Sequence, residues 1–230
     1  MSTAAMGPET PRRIALCGVP GSGKTALAKE ISTRLKIPLI YQGTKELRNT
    51  VGDVKSLPPF WRMNEIQRTL YQLNLIQYRL EVESQYDEFV ADGCAVDLLT
   101  WYRMCSWLVP FDQKNATIAA LSQSAARYTH IFYLPYYEPP DQVPGEEYEQ
   151  HAVDPINLLT ADFITKGVVS WMAHSGRKVY VIQTPPSVTM APGQQQQFPK
   201  SFDAKKAALE LRVSEVLEAL NEQGAKATVN

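Results

Sequence analysis

The octapeptide at residues 18–25 has the residue types and the spacing that hold phosphate groups. It reads Gly-Val-Pro-Gly-Ser-Gly-Lys-Thr, which satisfies the pattern Gly-x-x-x-x-Gly-Lys-Thr. Glycines let backbone N–H groups curve around an anion, and a helix beginning there directs its positive dipole end at the same anion. Lys24 would neutralise charge between the β- and γ-phosphates, and the Thr25 hydroxyl would ligate Mg²⁺. The predicted nucleotide-binding residues of this phosphate loop are Gly18, Pro20, Gly21, Ser22, Gly23, Lys24 and Thr25.

The sequence also bears on which nucleotide is bound. A short apolar run precedes the phosphate loop and a helix-forming segment follows it, which is the order that such a loop requires. The chain contains no Asn-Lys-x-Asp segment of the kind that reads guanine. ATP is therefore the expected nucleotide.

Two carboxylates follow a predicted strand at residues 89–91. Asp92 stands at the strand end, where a carboxylate can hold Mg²⁺ or take the proton of an attacking hydroxyl. Asp97 follows on the next turn. We predict catalytic roles for both, with Asp92 also at the metal. The alternative is that Asp92 belongs to a plain turn and that Asp97 caps a helix.

A second polar pair lies on a long predicted helix from about residue 63 to 87. Its apolar residues recur at three- and four-residue steps: Ile66, Leu70, Leu73, Ile76 and Leu80. Gln77 falls inside the stripe made by Leu70, Leu73 and Leu80, and Glu81 lies at its edge. A buried amide needs a hydrogen-bond partner, and that partner could be an acceptor substrate. A glutamine satisfied within the core is the alternative interpretation.

Residues 44–62 are predicted to be loop-rich and locally basic, and they include Phe60 and Trp61. Arg48 and Arg62 in this segment are candidates for substrate binding. The same basic and aromatic residues could contact a DNA strand through phosphates and stacking.

The remaining pattern alternates short apolar runs with helical segments. This alternation predicts an α/β fold with a parallel sheet and helices on both faces, in a single domain over residues 12–222. Residues 1–11 read as a disordered tail, residues 135–150 as a lid-like excursion or a surface loop, and residues 184–202 as a loop. A C-terminal amphipathic helix is predicted within residues 203–222.

Composition narrows the class of protein. The chain has 230 residues, 44% of them hydrophobic, and a formal net charge of -1, so polynucleotide binding would need a local basic patch. Three cysteines without a Cys-x-x-Cys pair argue against a disulfide framework or a zinc site. No apolar run suits a signal peptide or a membrane span. We expect a soluble, cytoplasmic protein, and the sequence does not indicate its oligomeric state.

Together these features resemble the P-loop nucleoside and nucleotide kinases. The likeness is greatest to the AAA-like group that includes the ribosylnicotinamide kinase domain, and it is more distant to thymidylate kinase. Four segments carry it: residues 18–25, residues 77–81, residues 90–97, and residues 131–135 before the excursion. The resemblance implies a P-loop NTPase-type three-layer sandwich, with a five-stranded parallel sheet and the phosphate-loop strand at its centre. It also implies ATP and Mg²⁺, with Asp92 as the catalytic carboxylate, Asp97 in support, and the Gln77 region facing the acceptor.

The chain departs from these kinases in its arginines. Relatives commonly have arginine directly after the strand-end acid, where this chain has Gly93, and no arginine lies between Tyr128 and Gly176. Arginine clamps a phosphate group bidentately, so its absence favours a hydroxyl acceptor over a phosphate acceptor.

Three functions follow from these observations. The first is transfer of the γ-phosphate of ATP to a hydroxyl of a nucleoside- or nucleotide-type acceptor. The second is a kinase for a hydroxymethylated base, of the hydroxymethyluracil type, within viral DNA. The third is a regulatory NTPase or nucleotide sensor without an acceptor.

Overall fold

The fold was described from a computed structural model of the chain. It covers residues 11–41, 47, 49, 52–58, 62–106, 109–137, 155–184 and 203–226. Arg48, residues 138–150 of the predicted excursion and residues 185–202 of the predicted loop lie outside these ranges, as does most of the predicted tail.

The strands and helices alternate along the chain, as the sequence predicts. In the described ranges their order is β1 (Arg13–Cys17), α1 (Lys24–Leu35), β2 (Leu39–Ile40), α2 (Gly52–Lys55), α3 (Glu65–Ser84), β3 (Phe89–Asp92), α4 (Ala95–Cys105), α5 (Phe111–Ala125), β4 (His130–Tyr133), α6 (Pro155–His174), β5 (Val179–Val181) and α7 (Ala204–Lys226). Helix α2 is an addition to the prediction, because residues 44–62 were expected to be loop-rich.

A single parallel sheet of five strands organises the described part of the chain, in the order β2-β3-β1-β4-β5. Strand β1 is central, as predicted. Strand β1 pairs in parallel with β3, in a register that places Leu16 beside Asp92. The carboxyl ends of β1 and β3 therefore meet at one edge of the sheet, and the phosphate loop follows β1 directly.

Alternating side chains of β1 build the two hydrophobic layers, which confirms the three-layer arrangement. Ile14 and Leu16 pack on the face covered by α1 and α7. Ala15 and Cys17 pack on the opposite face, against α3, α4, α5 and α6. Both faces of a parallel sheet are covered in this way because its strands are apolar on both sides. The sheet edge that carries the strand ends is left for the site.

Candidate functional site

The phosphate loop joins β1 to α1 in a conformation that requires glycine. Gly18 has φ 146°, and a Cβ placed on it would stand 2.4 Å from the Leu134 carbonyl oxygen. Gly23 caps α1 in the left-handed region with φ 88° and forms no side-chain cap. The first N–H groups of α1 thus have no side-chain acceptor from the cap residue, which is the arrangement that suits an anion.

Lys24 begins α1 and folds back over the phosphate loop. Its Nζ donates to the Gly18 carbonyl oxygen at 2.5 Å and to the Val19 carbonyl oxygen at 3.0 Å. Thr25 is exposed, Ser22 is buried, and Pro20 is exposed at the tip of the loop. The predicted nucleotide-binding residues therefore occupy the turn after β1 and the first two positions of α1.

Asp97 fastens this loop to the neighbouring helix. Its Oδ1 accepts the backbone N–H of Gly18 at 2.8 Å, and its Oδ2 accepts the backbone N–H of Cys94 at 2.9 Å. Burial raises the pKa of Asp97, while the charge of Lys24 and the two backbone donors oppose that rise. Both oxygens are engaged with the backbone, so the geometry gives Asp97 a positioning role in place of direct contact with a reacting group. The helix-cap interpretation of Asp97 thus holds together with its proximity to the phosphate loop.

Asp92 has a different environment. It is the last residue of β3 and is only 6% exposed. Its carboxylate forms no hydrogen bond or ion pair with the rest of the described chain. Gly93 then turns the chain with φ 69°. A buried carboxylate beside the phosphate-loop strand is thus available for a ligand, a metal or a proton.

Comparisons with known proteins agree with the fold. The family described as "ATPase family associated with various cellular activities (AAA)" matches residues 14–74, which include the phosphate loop. Among solved structures, NadR protein in complex with NR has a TM-score of 0.58 at 10% identity, covering 93% of this chain and 50% of NadR. This chain therefore spans about half the length of NadR. Comparison with curated protein sequences gave no significant match.

Two further solved structures are similar. Deoxyadenosine kinase from M. mycoides with bound dCTP has a TM-score of 0.58 at 12% identity, covering 91% of this chain and 98% of that one. Thymidylate kinase from Ehrlichia chaffeensis has a TM-score of 0.49 at 12% identity, covering 75% of this chain and 93% of that one. The chain has the P-loop NTPase fold. The predicted resemblance is confirmed at that level, and the roles of individual P-loop residues remain proposals.

An arginine that the sequence analysis did not single out contacts the carboxyl ends of β2 and β3, near the phosphate loop. Arg79 of α3 is 1% exposed. Its Nη2 donates to the Gly93 carbonyl oxygen at 2.5 Å, its Nη1 donates to the Tyr41 carbonyl oxygen, and its Nε pairs with Glu83 at 2.6 Å. Position 93 is thus approached by an arginine from another element. The available signal was the spacing of Arg79 and Glu83, which places opposite charges on one helix face.

Glu83 extends this contact into a buried network. Its carboxylate also accepts the Tyr128 hydroxyl at 3.0 Å and the Ser124 hydroxyl at 3.4 Å. The Tyr128 oxygen in turn accepts the backbone N–H of Ala95 at 3.0 Å. Helices α3, α4 and α5 are therefore joined around the carboxyl ends of β2 and β3. Burial of the Tyr128 hydroxyl within this network raises its pKa.

The predicted burial of Gln77 is wrong. Gln77 and Glu81 are both exposed, and the Gln77 amide donates to Glu81 at 3.0 Å. The stripe used to place them was incorrect, since Ile66 is 69% exposed and Leu70 43% exposed. The face that α3 buries carries instead Tyr71, Gln72, Leu75, Ile76, Arg79 and Glu83.

Gln72 on this buried face of α3 and Tyr102 on α4 are two further buried polar residues. Helices α3 and α4 run antiparallel, and the Thr69 hydroxyl donates to the Cys105 carbonyl oxygen at 2.8 Å. Gln72 and Tyr102 lie three residues inward from that contact, one on each helix. Gln72 Oε1 and Tyr102 Oη are buried without a hydrogen-bond partner among the described residues.

Of the other two predicted substrate residues, only Arg62 lies in the described ranges. Arg62 is exposed just before α3, and Arg48 lies outside the described ranges. The start of the predicted excursion is anchored, because the Tyr136 N–H and the Tyr133 hydroxyl both donate to Asp162.

Among the described helices, none combines the length and the apolar composition that a membrane span needs. The described residues also contain no group of three or more His, Cys, Asp or Glu that could hold a metal ion.

Proposed function

We propose that this protein is an ATP-dependent phosphotransferase that moves the γ-phosphate to a hydroxyl of a nucleoside- or nucleotide-type acceptor. The observation that carries the proposal is the carboxylate of Asp92. It is buried at the end of β3, beside the strand that leads into the phosphate loop, and its described surroundings offer it no partner. Such a carboxylate is suited to a reacting proton or a metal ion.

The phosphate loop fits a nucleotide triphosphate. The positive φ values of Gly18, Gly21 and Gly23 let the loop backbone curve around an anion, and α1 begins without a side-chain cap. Lys24 would hold the β- and γ-phosphates, while Thr25 and Asp92 would supply oxygen ligands for Mg²⁺. ATP supplies the phosphoryl group, and Mg²⁺ offsets the negative charge of the phosphate oxygens. Two protein oxygens completed by phosphates and water suit Mg²⁺, which seldom needs an all-protein cage.

The acceptor side is formed by α3 and α4. The acceptor hydroxyl gives its proton to Asp92, its oxygen bonds to the γ-phosphorus, and the bond between the β–γ bridging oxygen and the γ-phosphorus breaks to release ADP. Gln72 lies two helical turns from Arg79, which contacts Gly93 next to Asp92. That separation is about 10 Å along the helix. The Oε1 of Gln72, which has no partner among the described residues, would accept an N–H of a nucleobase and so take the role predicted for Gln77.

The described arginines favour a hydroxyl over a phosphate as the acceptor. Each of the three guanidinium nitrogens of Arg79 is bonded to protein, and the side chain is buried. Arg79 therefore holds the backbone and does not clamp an incoming phosphate. A phosphate acceptor would bring roughly two negative charges towards an anionic triphosphate, and such acceptors call for arginine. A basic group from Arg48, Arg62 or Arg103 could reverse this preference.

Acceptor-dependent release of ADP tests the proposal. The full chain would be incubated with ATP and Mg²⁺, with nucleosides, nucleotides and an oligonucleotide containing hydroxymethyluracil as separate acceptors. We expect ADP release to rise with a free nucleoside and to fall roughly 10²–10³-fold in Lys24→Ala, since a preorganised charge is lost. Phosphate release without any acceptor dependence would identify a regulatory NTPase. Activity confined to the oligonucleotide would identify a DNA-base kinase.

A further inference from the structure

Arg212 of α7 contacts the phosphate loop from the far end of the chain. It is 3% exposed. Its Nη1 donates to the Ser22 carbonyl oxygen at 2.6 Å, and its Nε donates to the Thr184 carbonyl oxygen at 2.8 Å. One guanidinium therefore joins the phosphate loop to the chain that leaves β5.

The charge of Arg212 is not neutralised by a contacting carboxylate. It forms no ion pair with any described carboxylate. Glu215 lies nearby, but its oxygens accept the Gln183 N–H at 2.8 Å, the Thr184 N–H at 3.0 Å and the Thr184 hydroxyl. The Nη2 of Arg212 is buried and has no partner in the described part of the chain.

A buried cation of this kind favours an anion close by. Burial lowers the pKa of Arg212, although a guanidinium stays protonated at neutral pH. Carbonyl dipoles alone compensate a buried charge poorly. The structure therefore holds a positive charge against the phosphate loop, in addition to that of Lys24.

The peptide group between Ser22 and Gly23 can pass this charge to a ligand. The peptide is trans, so the Ser22 carbonyl and the Gly23 N–H point in opposite directions. A guanidinium on the carbonyl fixes the orientation of the N–H and polarises it as a donor. Gly23 is the N-cap of α1, where the anion site begins.

We propose that Arg212 is a positioning residue for the phosphates of the bound nucleotide, acting through the Ser22–Gly23 peptide. The proposal rests on the proposed function, because it takes ATP as the ligand of the phosphate loop. It assigns the C-terminal helix a part in nucleotide affinity that the phosphate-binding pattern does not contain.

Calorimetric titration of the full chain separates this role from a general effect on the fold. ATP, inorganic tripolyphosphate and adenosine would be titrated into wild type, Arg212→Met, Arg212→Lys and Arg34→Met. Arg34 is a matched control, since it joins α1 to α7 through Glu210 at 2.6 Å without touching the loop. Thermal melting would establish that each variant is folded.

We expect Arg212→Met to weaken ATP and tripolyphosphate by similar factors, about tenfold or more, as for loss of a charge-assisted hydrogen bond. Arg212→Lys should lose less, because an ammonium keeps the charge but cannot span two carbonyls as the planar guanidinium does. Adenosine binding and the Arg34→Met variant should be unchanged. In turnover, the KM for ATP should rise by a larger factor than kcat falls.

Two results would overturn the inference while leaving the proposed function in place. One is unchanged tripolyphosphate affinity in both Arg212 variants. The other is loss of adenosine binding alone, which would mean that Arg212 acts through its contact with Thr184 and not through the phosphate loop. If Arg212→Met does not fold, Arg212→Lys decides by the same criteria. Failure of the wild type to bind ATP or tripolyphosphate would overturn the proposed function, and the inference with it.

Discussion

Asp97 is bonded to the first residue of the phosphate loop, because its Oδ1 accepts the Gly18 N–H at 2.8 Å. Its Oδ2 accepts the Cys94 N–H at the start of α4. One buried carboxylate thus fixes the phosphate loop relative to the strand end that carries Asp92. Asp97 bonds two backbone N–H groups, whereas Asp92 at the end of β3 has no bonded partner among the described residues, so mutation of the two acids should have different consequences.

Asp97→Asn should impair nucleotide binding more than turnover. The amide can accept one of the two backbone N–H groups, and its own NH₂ would oppose the other. Hydrogen bonds to charged groups contribute about 1.5–3 kcal/mol, so the Kd for ATP should rise roughly tenfold or more. Equilibrium binding and steady-state kinetics would measure the two effects. An unchanged Kd with a collapsed kcat would return Asp97 to a direct catalytic role.

Stability should depend on pH in a direction set by the raised pKa of Asp97. Because burial raises that pKa in the fold, the native state holds the Asp97 proton more tightly than the unfolded state does. The contribution of Asp97 to stability is then fully present below its unfolded pKa and is lost as pH rises through its folded pKa. The stability advantage of wild type over Asp97→Asn should therefore widen as pH falls from 7 towards 4. Denaturant unfolding at several pH values measures it, and a narrowing gap would contradict this sign.

Gly18→Ala should destabilise the protein and the phosphate loop together. The added Cβ would stand 2.4 Å from the Leu134 carbonyl oxygen, at a φ of 146° that suits glycine. Overpacking of this kind costs about 1–3 kcal/mol, in addition to backbone strain. Gly176→Ala is the matched control, because its φ is also positive but no atom lies within 4 Å of the added Cβ. Thermal unfolding should show the larger loss for Gly18→Ala, and equal losses would contradict the close approach.

Arg79→Met should be among the most destabilising single substitutions in α3. It leaves the buried carboxylate of Glu83 without its cation, and breaking a buried pair costs about 3–5 kcal/mol. The double variant Arg79→Met/Glu83→Leu should recover part of that loss, since no uncompensated charge remains. Arg34→Met, which removes two exposed ion pairs, with Glu30 and with Glu210, should change stability little. A double variant no more stable than Arg79→Met would argue against the pair as the cause.

The fold could be predicted largely because its signals are local. The apolar run before residue 18 and the helix after it determine β1 and α1, and the alternation of apolar runs determines the parallel sheet. The phosphate loop is contiguous in sequence, so its residues come together without any knowledge of tertiary contacts.

The rest of the site depends on contacts between distant segments, and for that reason sequence reasoning missed it. Arg79 bonds backbone carbonyls of Tyr41 and Gly93, which carry no side-chain signal. Arg212 meets Ser22 from 190 positions away. The wrong prediction for Gln77 has a different cause. The predicted apolar face of α3 included Ile66 and Leu70, which are exposed, so it did not coincide with the face that the helix buries. Exposed leucines and isoleucines are common on helices, and a helical wheel that counts them as buried places the wrong polar residue on the buried face.

Asp92→Asn should remove most of the phosphotransfer while sparing nucleotide affinity. The substitution keeps the shape of the side chain and removes its charge, so kcat should fall roughly 10²–10⁴-fold if the carboxylate takes the hydroxyl proton. The Kd for ATP, set mainly by the phosphate loop, should change far less. Comparison with Asp97→Asn in the same two assays separates the acids, and a mild Asp92→Asn beside a crippled Asp97→Asn would reverse their assignment.

An ATP-coupled assay that compares a free nucleoside with the corresponding nucleoside monophosphate would establish whether a hydroxyl is the phosphoryl acceptor. We expect that the unphosphorylated nucleoside is converted to its monophosphate, that this activity requires Asp92, and that the monophosphate is a poor acceptor. Efficient formation of a diphosphate from the monophosphate, abolished by Arg48→Ala or Arg62→Ala, would contradict it.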